Sequence, residues 1–527
     1  MAHPTVHVRM YQRLLGDCFL LTIGAEDADA PVHVLIDCGI LNGVEGGGAV
    51  MEEVTDDIIA TTKGKLDLVV VTHEHADHIS GFRRLLKDRR LRIERLWLAW
   101  TEDDQDGQAN ALRTDLAARR RAVREAAKAA REGAREASGD ATMENPFALT
   151  PGGATRGLEA FLDDEESEGS SGGSLGVAGR KPRPPLLATL KKFVGRASTD
   201  FLEPGDTVPL PGSSGIVAHV LGPPRDEGLL FKDLPSAGSD KETYLTATRV
   251  LNAEWMVRLA AGAPDGGRTP RMEEASPFSP QHRRLTRRGI EDGSLGGEDA
   301  EWVRSHYFSS CDPRPFRYLP AHLAARTDVA CDTGWRQEFR RIDGVWLSAV
   351  GPLALKLDSD TNNTSLVLAL EMPDGCVLLF AADAQVGNWE SWHRQRYGRG
   401  RATAADLLER TILYKVGHHG SHNATLTEKG LALMTHKRLV AMIPTVETVA
   451  LERGSKGWKM PYAPLLAELL KRTEGRLLRG DAKPGCDVGG ASLTRDAEFR
   501  ARVRVEKSAR AGADGPQLYV EYRAWPI

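Results

Sequence analysis

The chain of 527 residues has little cysteine, no excess of charge of one sign and no long apolar run. Its most apolar stretch, 376–382, runs directly into Asp383, far short of the roughly 18 residues a membrane-crossing helix needs, so no membrane partner is expected. Lys and Arg number 69 against 73 Asp and Glu, a net charge of −4, which removes any whole-chain attraction to nucleic acid or anionic lipid and leaves only local patches. The six cysteines (Cys18, Cys38, Cys311, Cys331, Cys376 and Cys486) form no CxxC pair and no short framework. That spacing argues against a disulfide scaffold and fits a reducing, cytoplasmic setting. Arg9 and Arg13 ahead of the apolar residues 18–23 imitate a secretory signal. The apolar part is short, however, and Val6, Val8 and Met10 alternate with polar neighbours as in a strand.

What is present reads as a layered α/β protein. Strands are expected at 5–10, 19–23, 32–36 and 93–100, with a helix near 51–61. The run 66–71 (LDLVVV) is nearly continuous, as in a strand buried on both faces. Residues 109–137 are rich in Ala, Arg, Glu and Lys without a broad apolar stripe, and read as an exposed helical insertion or, alternatively, a basic arm for a polyanion. An acidic, Gly/Ser and RKPRPP segment at 163–185 has the composition of a flexible linker. Strand signals recur at 215–221, 364–371, 376–382, 411–416, 439–443 and 518–522, with a helix at 464–471. The resulting division is 1–100, the first half of a core; 101–199, a helical and flexible insertion; 200–235, core strands; 236–340, a second insertion with a basic segment at 282–288; and 341–527, the second half of the core.

The strongest chemical signal follows the buried run: Thr72-His73-Glu74-His75-Ala76-Asp77-His78. An HxHxDH loop at a strand end aims three imidazoles and a carboxylate into one small volume, a donor set suited to a borderline divalent ion such as zinc. This loop resembles the signature of the metallo-β-lactamase superfamily. The resemblance implies an αββα sandwich, here with two large insertions, carrying one or two metal ions at one edge, zinc first and manganese as the alternative. Leu35-Ile36-Asp37-Cys38-Gly39, Leu378-Leu379-Phe380-Ala381-Ala382-Asp383 and Lys415-Val416-Gly417-His418-His419-Gly420-Ser421 supply the later marks in the right order. Together with Gly16-Asp17-Cys18-Phe19 and Asn362-Asn363-Thr364-Ser365-Leu366-Val367, they resemble the soluble hydrolase domain of bacterial DNA-uptake competence proteins and related phosphodiesterases. The likeness spans residues 5–100, 200–225 and 340–485.

Carried over residue by residue, the resemblance implies that His73 and His75 hold a first metal. Asp77, His78 and His419 would hold a second, and Asp383 would bridge the two. His419 is preferred to His418 because it directly precedes a glycine, which leaves His418 facing the substrate. Asp37 either orients the ligand loop from behind or is an ordinary strand-end turn residue. Asp77, His418 and Lys415 are the candidate catalytic groups: Asp77 to orient the nucleophile, the other two to stabilise charge or protonate a leaving oxygen. For Lys415 the alternative is a partly exposed strand residue. One position departs from the pattern. A third histidine is expected just before a Pro-Pro pair, and Gly222 stands there in Leu221-Gly222-Pro223-Pro224. His219, three residues earlier, is a possible substitute or a structural histidine, and the first metal is then weakly held, completed by water or absent.

The expected activity is that of a metallo-hydrolase acting on a phosphodiester in nucleic acid, a nucleotide or a similar substrate. The chain lacks the Gly-His-Thr motif of lactamase-like and thioesterase-like members. The alternatives are a lactamase-like or lactonase-like hydrolase and a catalytically degenerate binding protein. Oligomeric state stays open.

Overall fold

In a computed structural model, the structure describes residues 5–24, 31–121, 185–213, 215–232, 357, 359–398, 402–452, 458–511 and 515–526. The expected linker at 163–184, the second insertion at 236–340 with its basic segment, and the chain from 122 to 162 lie outside the described residues.

The fold is mixed α/β and is organised by two large sheets. The first contains β1 (Thr5–Tyr11), β2 (Cys18–Gly24), β3 (Val32–Cys38), β5 (Leu68–Val70), β7 (Leu96–Ala99), β8 (Thr199–Leu202), β16 (Val503–Lys507) and β17 (Gln517–Trp525), in the order β16-β17-β1-β2-β3-β5-β7-β8. The second contains β9 (Thr207–Pro209), β10 (Val217–Gly222), β11 (Val367–Glu371), β12 (Val377–Phe380), β13 (Thr411–Lys415), β14 (Val440–Ile443) and β15 (Leu477–Arg479), in the order β15-β14-β13-β12-β11-β10-β9. The short strands β4 (Lys65–Leu66) and β6 (Arg92–Ile93) pair separately. Each large sheet is antiparallel on one side and parallel on the other: β3, β5, β7 and β8 run parallel in the first, β12 to β15 in the second.

Strand periodicity sorts the apolar residues into layers. Val34, Ile36, Leu68 and Val70 from the first sheet share one buried cluster with Val220, Leu368, Phe380 and Met442 from the second. The alternate residues Leu35, Val69 and Leu98 turn the other way, onto α1 (Gly47–Thr62), α2 (Ala76–Ile79), α3 (Phe82–Leu85) and α4 (Leu186–Val194), reached through Val54, Ile58, Ile79, Phe82, Leu187 and Leu190. On the outer face of the second sheet, Leu379, Tyr414 and Ala441 meet Trp389 and Trp392 of α5 (Val386–Trp392), Leu408 of α6 (Ala404–Glu409) and Leu465 and Leu469 of α7 (Ala463–Thr473). The run 66–71 is therefore buried on both faces, as its composition requires.

Two segments differ from their sequence reading. Residues 107–121 are helical and not wholly solvated, because Ala109, Leu112 and Leu116 form a narrow buried stripe. Regular structure also resumes at Leu186, ahead of residue 200, since Leu186, Leu187 and Leu190 give α4 an apolar face for the first sheet. Among the described residues no helix is long and apolar enough to cross a membrane. Cys18, Cys38, Cys376 and Cys486 are free thiols.

Candidate metal centre

Parallel strands place their C-terminal ends on one edge, and the centre is built there from both sheets. β3 carries Asp37 next to its last residue, β5 leads into the loop 72–78, β12 leads to Asp383, and β13 ends on Lys415 ahead of His418 and His419. The two edges are tied together by a hydrogen bond from the Leu366 N–H to the Thr72 carbonyl (2.9 Å). Gly39 is required by close packing, since a Cβ there would lie 2.1 Å from the Asp77 carbonyl carbon. Asp37, Ala382, His418 and His419 all hold left-handed backbone at φ 54°, 48°, 44° and 52°. Such conformations cost about 1–3 kcal/mol each in non-glycine residues, so the surrounding packing must over-determine them.

The ligand atoms are aimed by partners on the far side of each ring, a device that fixes both tautomer and direction. His78 Nδ1 donates to Asp37 Oδ2 (2.8 Å), which turns Nε2 inward. His419 Nδ1 donates to the Pro444 carbonyl (2.7 Å), leaving Nε2 2.9 Å from Asp77 Oδ2. Thr72 spends its hydroxyl proton on Asp37 Oδ2 (2.7 Å) and therefore accepts from His73 Nδ1 (3.1 Å), so His73 presents the lone pair of Nε2. That nitrogen stands 3.1 Å from Nδ1 of His75. Asp37 thus orients the loop: it also takes the Thr72 N–H (2.8 Å).

Asp77, His78, Asp383 and His419 bring one ligand atom each to within 4.8 Å of one another, and this buried cluster could hold a metal ion. His78 Nε2 is buried without a hydrogen-bond partner and faces Asp383 Oδ2 at 3.3 Å and Asp77 Oδ2 at 3.8 Å. An orphaned nitrogen between two carboxylates fits a divalent cation with nitrogen and oxygen ligands. A second triad, Asp17, Asp37 and His78, shares His78 with the first.

Charge explains the electrostatics. Asp17, Asp37, Asp77 and Asp383 are all buried here, with Lys415 the buried ammonium among them. Burial opposes protonation of His78 and His419, but the surrounding carboxylates outweigh it and raise both pKa values. Burial likewise works against ionisation of Asp77 and Asp383, yet the positive charge of His78 and its neighbours holds both below the usual carboxylate range. Asp37, where burial prevails, is raised. His73 is lowered by burial and by its histidine neighbours. The same negative field that draws protons onto imidazoles favours a divalent cation.

No family model matches this chain, and no curated protein does either. The candidate centre is therefore described from its own geometry alone.

The remaining expectations divide. His418 lies at the rim, its side chain 18% exposed, with Nδ1 3.0 Å from Ser421 Oγ and Nε2 4.0 Å from Asp383 Oδ2. Lys415 departs from both of its expected roles. It is neither partly exposed nor at the open face, but buried beneath the centre, where its ammonium pairs with Asp17 and lies 3.4 Å from Asp383 Oδ1 and 3.0 Å from the Ala382 carbonyl. At the end of a parallel strand, its ammonium lies between the buried carboxylates of Asp17 and Asp383. His219 does not join the centre: Nε2 pairs with Glu371 (2.6 Å) and Nδ1 with Thr207 Oγ1 (3.1 Å). Gly222 lies against Asn388, whose Oδ1 would be 1.9 Å from any Cβ at that position.

Sequence reasoning assigned no role to Asp17 or Asn388, and gave Arg120 only as part of an exposed insertion or a basic arm for a polyanion. Asp17 carried a signal, an acid at the start of an apolar strand in Gly16-Asp17-Cys18-Phe19. Arg120 pairs with Glu74 of the ligand loop (2.5 Å) and donates to Thr361 Oγ1 (2.9 Å), while Arg119 lies 3.5 Å from Asp360. The basic residues near 120 are therefore docked beside the loop. Asn388, inside α5, had no local signal.

Proposed function

We propose that this chain is a metal-dependent hydrolase of the metallo-β-lactamase superfamily that cleaves phosphodiesters, in nucleic acid, a nucleotide or a related compound, in a cytoplasmic setting. The observation that carries the reading is the buried meeting of Asp77, His78, Asp383 and His419 around an unpartnered His78 Nε2, at the joined edge of two sheets. Two sheets sharing one interior with helices on their outer faces support the αββα sandwich of that superfamily. The HxHxDH loop and the run 415–421 support the phosphodiesterase branch, and zinc is the ion best matched to two imidazoles and two carboxylates, with manganese second.

A divalent cation held by these four groups would supply the positive charge needed to acidify a water and polarise a phosphoryl oxygen. The chain's own residues do the positioning. Asp37 and Pro444 hold His78 and His419 by their Nδ1 protons, so that both Nε2 lone pairs face inward. Lys415, fixed by Asp17, keeps the Asp383 carboxylate in place. His418, at the rim, is the group positioned to give a proton from Nε2 to a leaving oxygen. The buried carboxylates orient an attacking water and disfavour an anionic substrate in the absence of the cation.

The test is turnover of bis-p-nitrophenyl phosphate by full-length protein before and after chelation, with nitrocefin and a lactone as comparators. Phosphodiester turnover that is lost with chelator, restored by zinc or manganese, and abolished in Asp77→Ala is expected. Turnover of nitrocefin or the lactone alone would move the substrate class. Chelator-insensitive turnover, or turnover preserved in Asp77→Ala and Asp383→Ala, would remove the reading.

A further inference from the structure

The geometry points to Arg120 as a positioning residue of the centre. Reaching in from the helix at 107–121, its guanidinium ties the ligand loop, at Glu74, to the segment 359–366, at Thr361, and so fixes where His73 and Asp383 stand. The inference rests on the hydrolase reading above and names a residue, outside both sheets, on which that site depends.

A guanidinium is a rigid planar fork whose amino groups serve two acceptors at once. Arg120 Nη1 lies 2.5 Å from Glu74 Oε1, and Nη2 donates to Thr361 Oγ1 at 2.9 Å. The Thr361 hydroxyl donates in turn to the Leu357 carbonyl (3.0 Å), which leaves a lone pair for Arg120. The Arg120 and Glu74 side chains are only 17% and 29% exposed, so salt screens this ion pair less than one at the open surface. Burial disfavours the Glu74 carboxylate, but the charge and hydrogen bond of Arg120, with His75 and Arg113 beside it, more than offset that cost.

Each end of the span leads to the centre. Glu74 stands between His73 and His75 in the chain, so a hold on its carboxylate is a hold on the backbone that aims both rings. Thr361 opens a turn closed by hydrogen bonds from the Thr364 N–H to the Thr361 carbonyl (2.9 Å) and from the Ser365 N–H to the Asn362 carbonyl (3.1 Å). Ser365, fully buried, then touches both sides of the site: its Oγ lies 3.3 Å from His73 Nδ1 and accepts the Asp383 N–H at 3.3 Å.

The helix that carries Arg120 is itself anchored. Ala109, Leu112 and Leu116 bury its apolar stripe, Gln108 Nε2 donates to the Arg225 carbonyl (2.8 Å), and Arg113 donates to the carbonyls of Thr101 and Asp103. Arg119, one residue before, lies 3.5 Å from Asp360 and gives the same helix a second tie to the segment 359–366. Arg120 is thus held at its base, which is what lets a side chain fix the position of the groups it grips.

The experiment is a cobalt(II) titration of full-length, metal-stripped protein, read by visible absorption and calorimetry, beside steady-state turnover of bis-p-nitrophenyl phosphate. In Arg120→Ala, folded by circular dichroism, the cobalt absorption should change shape and cation affinity should fall about 10-fold, the low end of what loss of an outer partner costs. Arg120→Lys should restore only part of this, because one ammonium lacks the fork. Arg95→Ala, which breaks an ion pair with Asp200 in the first sheet, should leave the cobalt absorption and affinity unchanged. In a chain already carrying Glu74→Gln and Thr361→Val, Arg120→Ala should add no more than about a twofold loss, since its two contacts are gone. If Arg120→Ala does not fold, Thr361→Val alone reads one arm of the span. An unchanged cobalt absorption and affinity in Arg120→Ala would overturn the proposal, and if KM rose at the same time Arg120 would be a substrate-binding group instead. Either outcome leaves the hydrolase reading intact, whereas no tight cation in folded wild-type protein would overturn that reading and the proposal with it.

Discussion

The two sides of the centre carry the same kinds of residue and are built to different standards. On one side each imidazole is braced from behind, His78 by Asp37 and His419 by the Pro444 carbonyl, and two carboxylates complete the set. On the other, His73 is braced by Thr72 and its ring lies against those of His75 and His78, with centroids 4.7 and 4.1 Å away, while at Gly222 the space for a side chain is closed by Asn388. The difference teaches that a ligand motif specifies a site only as far as the rest of the fold supplies the missing donors. A run of three histidines and an aspartate is local. A completed coordination sphere is not.

The largest effect expected is from the well-built side. Asp77→Ala or His419→Ala should weaken cation binding by more than the roughly 10–100-fold that loss of an outer partner costs, measured by calorimetry on protein shown to be folded by circular dichroism. Equal losses in His75→Ala and His419→Ala would erase the comparison. Next comes Asp37→Asn, which keeps its shape but weakens the brace on His78. Affinity should fall about 10–100-fold, with stability little changed, and an unaltered affinity would show that the brace is decorative. Gly222→Ala tests the plug: forcing a Cβ against Asn388, which three buried hydrogen bonds hold in place, should cost about 1–3 kcal/mol in urea denaturation, and an unchanged stability would show that Asn388 gives way. The smallest effect on the centre is expected from His219→Gln, which loses its hydrogen bond with Glu371. That change should lower stability by about 1 kcal/mol and leave cation affinity unchanged, because His219 lies outside the cluster.

Much of this was legible in the residues. The run 66–71 declared a strand buried on both faces because nearly every side chain in it is apolar, and the loop behind it declared its chemistry by ligand density. The strand-end acids Asp37 and Asp383 could be found because each closes an apolar run. Lys415 could not be read correctly. A lysine at the end of a strand is ordinarily exposed, and its burial depends on Asp17, which lies almost four hundred residues away in the chain. Asn388 was invisible for the same reason, since its role comes from what α5 packs against. The helix at 107–121 was legible as a helix but not its partial burial, because Ala109, Leu112 and Leu116 give too thin an apolar stripe to stand out among its charged residues.

The hydrogen bond from Leu366 to Thr72 joins two sheets whose ligands are far apart in sequence. Asp77 and His78 leave the ribosome early, whereas Asp383 and His419 follow only in the last third of the chain. At about 5–20 residues per second, the early ligands wait on the order of tens of seconds for their partners. During that interval the emerging protein has no complete cage, so any cation that the four groups hold would enter only after His419 has emerged and the two sheets have met.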